Sequence, residues 1–183
     1  MAKKAVILLA TGFEEIEAVI AIDILRRAGI DVVIAGIESL SVTGSHGITV
    51  SADKKLSDLK RDFDAAILPG GMPGAMHLHN SGEVNDFIKD MNAKGVLIAG
   101  ICAAPSVVMA PIGLLDNKAA TCYPGDQIDF AKSTKYKNKA VVADGNIITS
   151  QGPGTAIEFS FAIVEKLIGK DTVKNLRKRV LAD

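Results

Sequence analysis

Cys102 is the residue of this chain best placed to do chemistry. It ends the apolar run Val96-Leu97-Ile98-Ala99-Gly100-Ile101 and is followed at once by Ala103-Ala104-Pro105. A buried strand that turns sharply into a helix needs small neighbours, here Gly100, Ala103 and Ala104, and lifts its side chain above the sheet edge. This is the layout of a nucleophile elbow. The helix start adds N–H groups without intrahelical partners and the positive end of a dipole, both of which favour a thiolate. The competing reading is an inert packed cysteine, since free cysteines are often buried.

A nucleophilic thiol usually has a base beside it. The chain has three histidines, His46, His77 and His79, and none neighbours Cys102 in sequence. His77-Leu78-His79 has the look of a metal pair but no evident third ligand, so two surface histidines on a loop or helix start are expected and no metal. Carboxylates are the alternative. The first apolar run ends at Ala10, and Thr11-Gly12-Phe13-Glu14-Glu15-Ile16-Glu17 follows. In a doubly wound sheet this first strand-to-helix turn lies on the same edge as the elbow, so Glu14, Glu15 or Glu17 could reach Cys102. Acidic residues in a first helical turn also have an ordinary explanation in the dipole. The residue types leave the choice among the three open. A third turn, Leu68-Pro69-Gly70-Gly71-Met72-Pro73-Gly74, brings adjacent glycines to that edge, where backbone N–H groups can approach a ligand oxygen. It lacks the Lys and Ser/Thr of a Walker A loop and the spacing of a dinucleotide fingerprint.

The elements that position these residues alternate. Ala5–Ala10, Val32–Ile37, Ala65–Leu68 and Val96–Ile101 are short apolar runs without periodicity, as expected of parallel strands buried on both faces. Glu15–Ala28, Gly82–Ala93 and Ala103–Ala110 read as helices between them, which predicts a doubly wound α/β sheet. Val42–Val50 reads as an inserted hairpin, and Asp144-Gly145-Asn146 as the turn of a second one between Ala140–Ala143 and Ile147–Ser150. A loop Gln151-Gly152-Pro153-Gly154, a helix over Thr155–Ile168 and a last helix over Thr172–Leu181 complete the chain. The helices at Glu15–Ala28 and Thr155–Ile168 carry two apolar stripes each. Ile16, Ile20 and Ile24 form one stripe of the first, and Ala18, Ile22 and Leu25 the other. Such helices are either core elements wedged under a hairpin or faces of a homodimer.

The bulk properties agree with one domain spanning 1–183. Lys plus Arg and Asp plus Glu are 21 each, so no net field draws the chain to nucleic acid or anionic membrane. Lys174, Arg177, Lys178 and Arg179 are expected to be the solvated face of the last helix. No run reaches the roughly 18 apolar residues of a membrane span, and the N-terminal run has no cleavage site after it. A cytoplasmic protein with two free thiols is the expectation.

Four motifs together resemble the DJ-one/PfpI superfamily, in its branch of the parkinsonism-associated deglycase and its bacterial relatives. They are Gly12-Phe13-Glu14-Glu15-Ile16-Glu17, Leu68-Pro69-Gly70-Gly71, Ala99-Gly100-Ile101-Cys102-Ala103-Ala104-Pro105 and Thr149-Ser150-Gln151-Gly152-Pro153-Gly154-Thr155. The resemblance covers essentially the whole chain. It implies a flavodoxin-like sandwich, mostly parallel with helices on both faces, and a homodimer. It implies that Glu17 is the carboxylate that contacts the cysteine, and that Cys102 is nucleophile and oxidation site. Gly71 and Ala103, with Gly70, are implied as the anion-binding backbone. Departures fall at the pocket. Tyr123 stands where relatives carry His, Gln151 where some carry Arg, and His46 on the hairpin where another Arg is found. Protease-like and amidotransferase members place His or Gly directly after the cysteine, and Ala103-Ala104 argue against both activities.

The resemblance implies a slow, cofactor-independent glyoxalase or deglycase of hydro-lyase or hydrolase type. It would act on methylglyoxal or on glycated protein side chains, and so protect against carbonyl and oxidative stress. The alternative it implies is a redox-sensing chaperone whose Cys102 is oxidised to sulfinate. Neither reading needs a metal, nucleic acid or membrane.

Overall fold

The structure is a computed structural model describing residues 2–182; Met1 and Asp183, the two ends of the expected domain, lie outside the described residues. In chain order the first half runs β1 (Lys4–Leu9), α1 (Glu15–Arg27), β2 (Asp31–Gly36), β3 (Ser41–Thr43), β4 (Thr49–Ser51), β5 (Lys54–Lys55), β6 (Ala65–Leu68), α2 (Gly74–Asn80) and α3 (Gly82–Ala93). The second half runs β7 (Leu97–Ile101), β8 (Ala119–Ala120), β9 (Lys135–Tyr136), β10 (Val141–Asp144), β11 (Ile147–Ser150), α4 (Ala156–Leu167) and α5 (Lys170–Val180). Seven strands form the main sheet in the order β10-β11-β7-β6-β1-β2-β5. Its pairs are parallel except the β10–β11 hairpin, so this is the expected α/β, flavodoxin-like architecture.

Side chains alternate across the sheet and divide the core in two. Ala5, Ile7 and Leu9 of β1 join Leu25, Phe159, Phe161, Ile163 and Leu176 on the face covered by α1, α4 and α5. Val6 and Leu8 join Leu78, Val84, Phe87, Ile88 and Met91 on the face covered by α2 and α3. Burial on both faces is why these strands read as unbroken apolar runs. Truncating a fully buried side chain such as Phe159 to alanine is expected to cost about 3–5 kcal/mol.

Register decides what happens at the edge. Leu68 pairs with Gly100, and Ile101 with Ser150, so β6, β7 and β11 end level with one another. The chain therefore leaves the sheet at Pro69, Cys102 and Gln151 along one rim, and β1, beside β6, delivers the Thr11–Glu17 turn to the same rim.

Three expectations change. The helix expected over Ala103–Ala110 is a π-helical turn at Pro105–Met109, where Pro105 brings no N–H to an α-helical ladder. α2 was not legible, because Gly74-Ala75-Met76-His77-Leu78-His79-Asn80 has no apolar period; it carries His77 and His79. Of the two stripes of α1, the one formed by Ile16, Ile20 and Ile24 is divided: Ile24 is buried and Ile20 packs on the core, whereas Ile16 is exposed, as is Val19 outside both stripes. Val42 of the β3–β4 hairpin joins the same core.

Candidate active site

Cys102 has φ +63°, a left-handed backbone that a non-glycine residue rarely adopts. Its N–H donates to Ser150 O at 3.0 Å, and its carbonyl accepts the Tyr123 N–H at 2.9 Å. Both neighbours thus pin the strained residue in place. The backbone N–H groups of Ala103 and Gly71 both reach the sulfur. The side chain is half-buried, open enough for a small reagent.

The three carboxylates left open by residue type separate sharply. Glu14 is the N-cap of α1, its Oε2 accepting the Glu17 N–H at 2.8 Å. Glu15, one step round the helix, turns to the β3–β4 hairpin. It accepts the His46 N–H at 2.6 Å and meets His46 Nδ1 at 2.9 Å. Glu17 points inward, is fully buried, and is the one of the three whose carboxylate raises the Cys102 thiol. Its Oε2 accepts the Gly70 N–H at 2.7 Å, and Oε1 has no nitrogen or oxygen partner.

Gly70 therefore differs from the expectation. Its N–H is committed to Glu17 and not turned to a bound anion. What the position requires is closeness: a Cβ there would stand 2.7 Å from Cys102 Cβ and 2.9 Å from Glu17 Oε2. Glycine lets the carboxyl and the thiol meet.

The proton balance also departs from expectation. Burial pushes the Cys102 thiol up, and the Glu17 carboxylate beside it pushes it further, outweighing the Ala103 and Gly71 N–H groups. Burial likewise raises Glu17 to about 7, with the Glu14 charge adding to it and the Gly70 N–H and Cys102 opposing. One negative charge on this pair opposes a second. When Glu17 is neutral, the carboxylate's repulsion of a thiolate vanishes and the carboxyl becomes a donor to the sulfur. The helix start alone does not make the thiolate.

Of the pocket candidates, Tyr123 is brought to the cysteine. Its ring lies 3.6 Å from where a Gly152 Cβ would stand, and that point is 3.9 Å from Cys102 Sγ. His46 is an exposed side chain bonded to Glu15 and Ser45. Gln151 donates through Nε2 to Asn138 Oδ1 at 2.8 Å. Among the described residues neither side chain has a hydrogen bond to Cys102. The sequence reading missed Gly152, whose bare backbone keeps the space between Tyr123 and the sulfur clear.

A strained cysteine on a strand-to-turn elbow, partnered by a buried glutamate at the rim of a parallel sheet, defines a class of cysteine-centred α/β proteins. The DJ-1/PfpI family profile matches residues 3–166, and the chain belongs to this family. It is 42% identical to Protein dj-1beta of Drosophila melanogaster, over 99% of this chain and 98% of that one. It is 36% identical to the glutathione-independent glyoxalase DJR-1.2 of Caenorhabditis elegans, over 96% of this chain and 95% of that one. Among solved structures, oxidized Toxoplasma gondii DJ-1 superposes with a TM-score of 0.95 at 38% identity, covering 98% of both chains. Drosophila melanogaster DJ-1beta superposes at 0.96 with 41% identity and full coverage of both. No helix among the described residues is long and apolar enough to cross a membrane.

Proposed function

We propose that this protein is a cysteine-dependent, cofactor-independent glyoxalase that converts methylglyoxal to lactate, with deglycase-type action on early adducts of methylglyoxal with protein side chains. The observation that carries the reading is the fully buried Glu17 carboxyl held by the Gly70 N–H on the Cys102 side of the rim, where a Cβ on Gly70 would meet both Glu17 Oε2 and Cys102 Cβ. The name of the Caenorhabditis relative points the same way.

In this reading the Cys102 sulfur attacks the aldehyde carbon, and the oxygen takes a proton to give a hemithioacetal. The Gly71 and Ala103 N–H groups, already converged on the sulfur, hold the developing oxyanion. Glu17 then removes the proton from the former aldehyde carbon and returns one to the adjacent carbon. The product is a lactoyl thioester on Cys102, and water cleaves it to lactate and free thiol. Tyr123 and Gly152 border the space that the substrate occupies. A carboxyl with a pKa near 7 both gives and takes protons at neutral pH, which a carboxyl at its ordinary value does not.

The test is lactate formation by fully reduced protein. Turnover above a Cys102→Ala control is expected, and it should fall in step with sulfinate formation on Cys102 under mild peroxide. Reduced protein that makes no lactate, while oxidised protein gains holdase activity or a partner, would instead establish the redox-sensing chaperone. That second reading draws on the oxidized state in which the Toxoplasma protein was solved. The same protein is proposed to work in the cytoplasm as a homodimer joined through the exposed Ile16, Val19 and Ile157. Sedimentation at micromolar concentration should give twice 19.2 kDa.

A further inference from the structure

The first turn of α1 holds an unusual concentration of negative charge. Glu14, Glu15 and Glu17 are exposed by only 7%, 4% and 0%. Carboxylates buried at this density need N–H donors, protons or cations around them. Glu17 has Gly70 and Cys102. Glu15 has the His46 and Ile48 N–H groups and the His46 ring. Among the described residues the Glu14 carboxylate has one hydrogen bond, from the Glu17 N–H to Oε2, and no ion pair, although the residue is nine-tenths buried.

Glu14, Glu15 and His46 each offer one ligand atom, and these atoms all lie within 4.8 Å of one another. We propose that Glu14, Glu15 and His46 form a binding site for a divalent transition cation of the zinc class, with water completing its coordination. The donor set selects the metal. One imidazole nitrogen and two carboxylate oxygens suit zinc or its first-row neighbours, whereas calcium and magnesium ask for oxygen ligands throughout.

The ligands are oriented in advance. Glu15 is held by the His46 N–H at 2.6 Å and the Ile48 N–H at 3.4 Å, and Glu14 by the Glu17 N–H at 2.8 Å. Such outer contacts fix ligating carboxylates. His46 Nδ1 and Glu15 Oε2 stand 2.9 Å apart as a hydrogen bond, and tetrahedral bonds of about 2.0–2.1 Å require them to move apart to about 3.3 Å when the ion enters. The cation replaces that hydrogen bond, and Glu14 supplies the third ligand through its carboxylate. Gly44 belongs to the design, because a Cβ there would run into the Glu15 carboxylate. The site leaves no local signal, since Glu14-Glu15 and His46 lie on separate elements. It goes beyond the glyoxalase reading and does not rest on it.

The experiment is calorimetric titration of chelator-stripped protein with zinc chloride. It is done on the Cys102→Ala variant, so that the thiol cannot be the ligand. One equivalent is expected to bind at micromolar zinc. Binding should weaken at least tenfold in His46→Ala, which removes an exposed side chain, and in Glu14→Gln, which keeps an acceptor for the helix cap. His77→Ala should leave it unchanged. No stoichiometric binding, binding that survives His46→Ala, or binding lost with His77→Ala instead would overturn the proposal.

Discussion

The two cysteines of this chain are close neighbours with opposite surroundings. Cys102 and Cys122 are joined through the hydrogen bond from Tyr123 N–H to Cys102 O. Cys122 is fully buried, and burial first, then the charges of Asp126 and Asp129, push its thiol up to about 12. Burial and a carboxylate push the Cys102 thiol up as well. The difference lies in what else each sulfur meets. Cys102 is half-open, receives two backbone N–H groups, and faces a carboxyl that titrates near neutrality. Among the described residues no backbone N–H lowers the Cys122 thiol, and the carboxylates that act on it, Asp126 and Asp129, only raise it. A resting thiol pKa is a poor guide to reactivity here; a partner whose charge can be removed is a better one.

The largest expected effect separates the two thiols by turnover. Cys102→Ser should lower lactate formation by about 1000-fold or more, the scale seen when a nucleophile is removed. Cys122→Ala should stay within about threefold of the parent, since that side chain has no place in the reaction. A comparable loss in both variants would erase the distinction between them. Chemical labelling gives a smaller but more direct contrast. Brief iodoacetamide treatment followed by mass mapping should modify Cys102 at least about tenfold faster than Cys122. Equal labelling would show that the elbow confers no reactivity.

Stability against pH sharpens the account of Glu17. Its pKa in the folded protein is about 7, above the ordinary 4.5, so the folded state holds this proton more tightly than the unfolded one. Its contribution is fully present below about pH 4.5 and is lost as the pH rises through 7. The loss amounts to about 3 kcal/mol at most. Glu17→Gln should therefore gain stability relative to the parent on going from pH 5 to pH 8, measured by urea unfolding of both proteins in a Cys102→Ala background. A pH-independent difference would mean that Glu17 is ionised throughout.

Much of this was legible in the sequence, for definite reasons. Ala65–Leu68 and Gly82–Ala93 were read with the bounds the structure gives, because a two-faced strand and a helix cap at Ser81 leave strong patterns. The elbow was legible because small residues crowd one cysteine. Choosing among Glu14, Glu15 and Glu17 was not a matter of residue type. The three are chemically equivalent in the sequence, and about 100° of helix per residue sends them to a cap, a hairpin and the sulfur. The family resemblance supplied Glu17, which is the fully buried one of the three and takes the Gly70 N–H. Gly70 was misread because a glycine in a loop advertises a free N–H, while only the tertiary structure reveals that Glu17 takes it. His46 and Gln151 were placed in the pocket by analogy with arginine. Their partners, Glu15 and Asn138, lie 31 and 13 residues away and leave no local signal.

The central claim is that Cys102 adds to the substrate and Glu17 then moves its proton. The most direct measurement separates those steps in Glu17→Gln. Reduced variant protein is mixed with methylglyoxal and its intact mass is read by native mass spectrometry, beside the same variant carrying Cys102→Ala and the same variant carrying Cys122→Ala, while lactate is assayed in parallel. The account predicts a methylglyoxal adduct on Cys102, absent from Cys122, with lactate formation slowed by about 100-fold or more. An unmodified Cys102, or lactate produced at the parent rate, would contradict it.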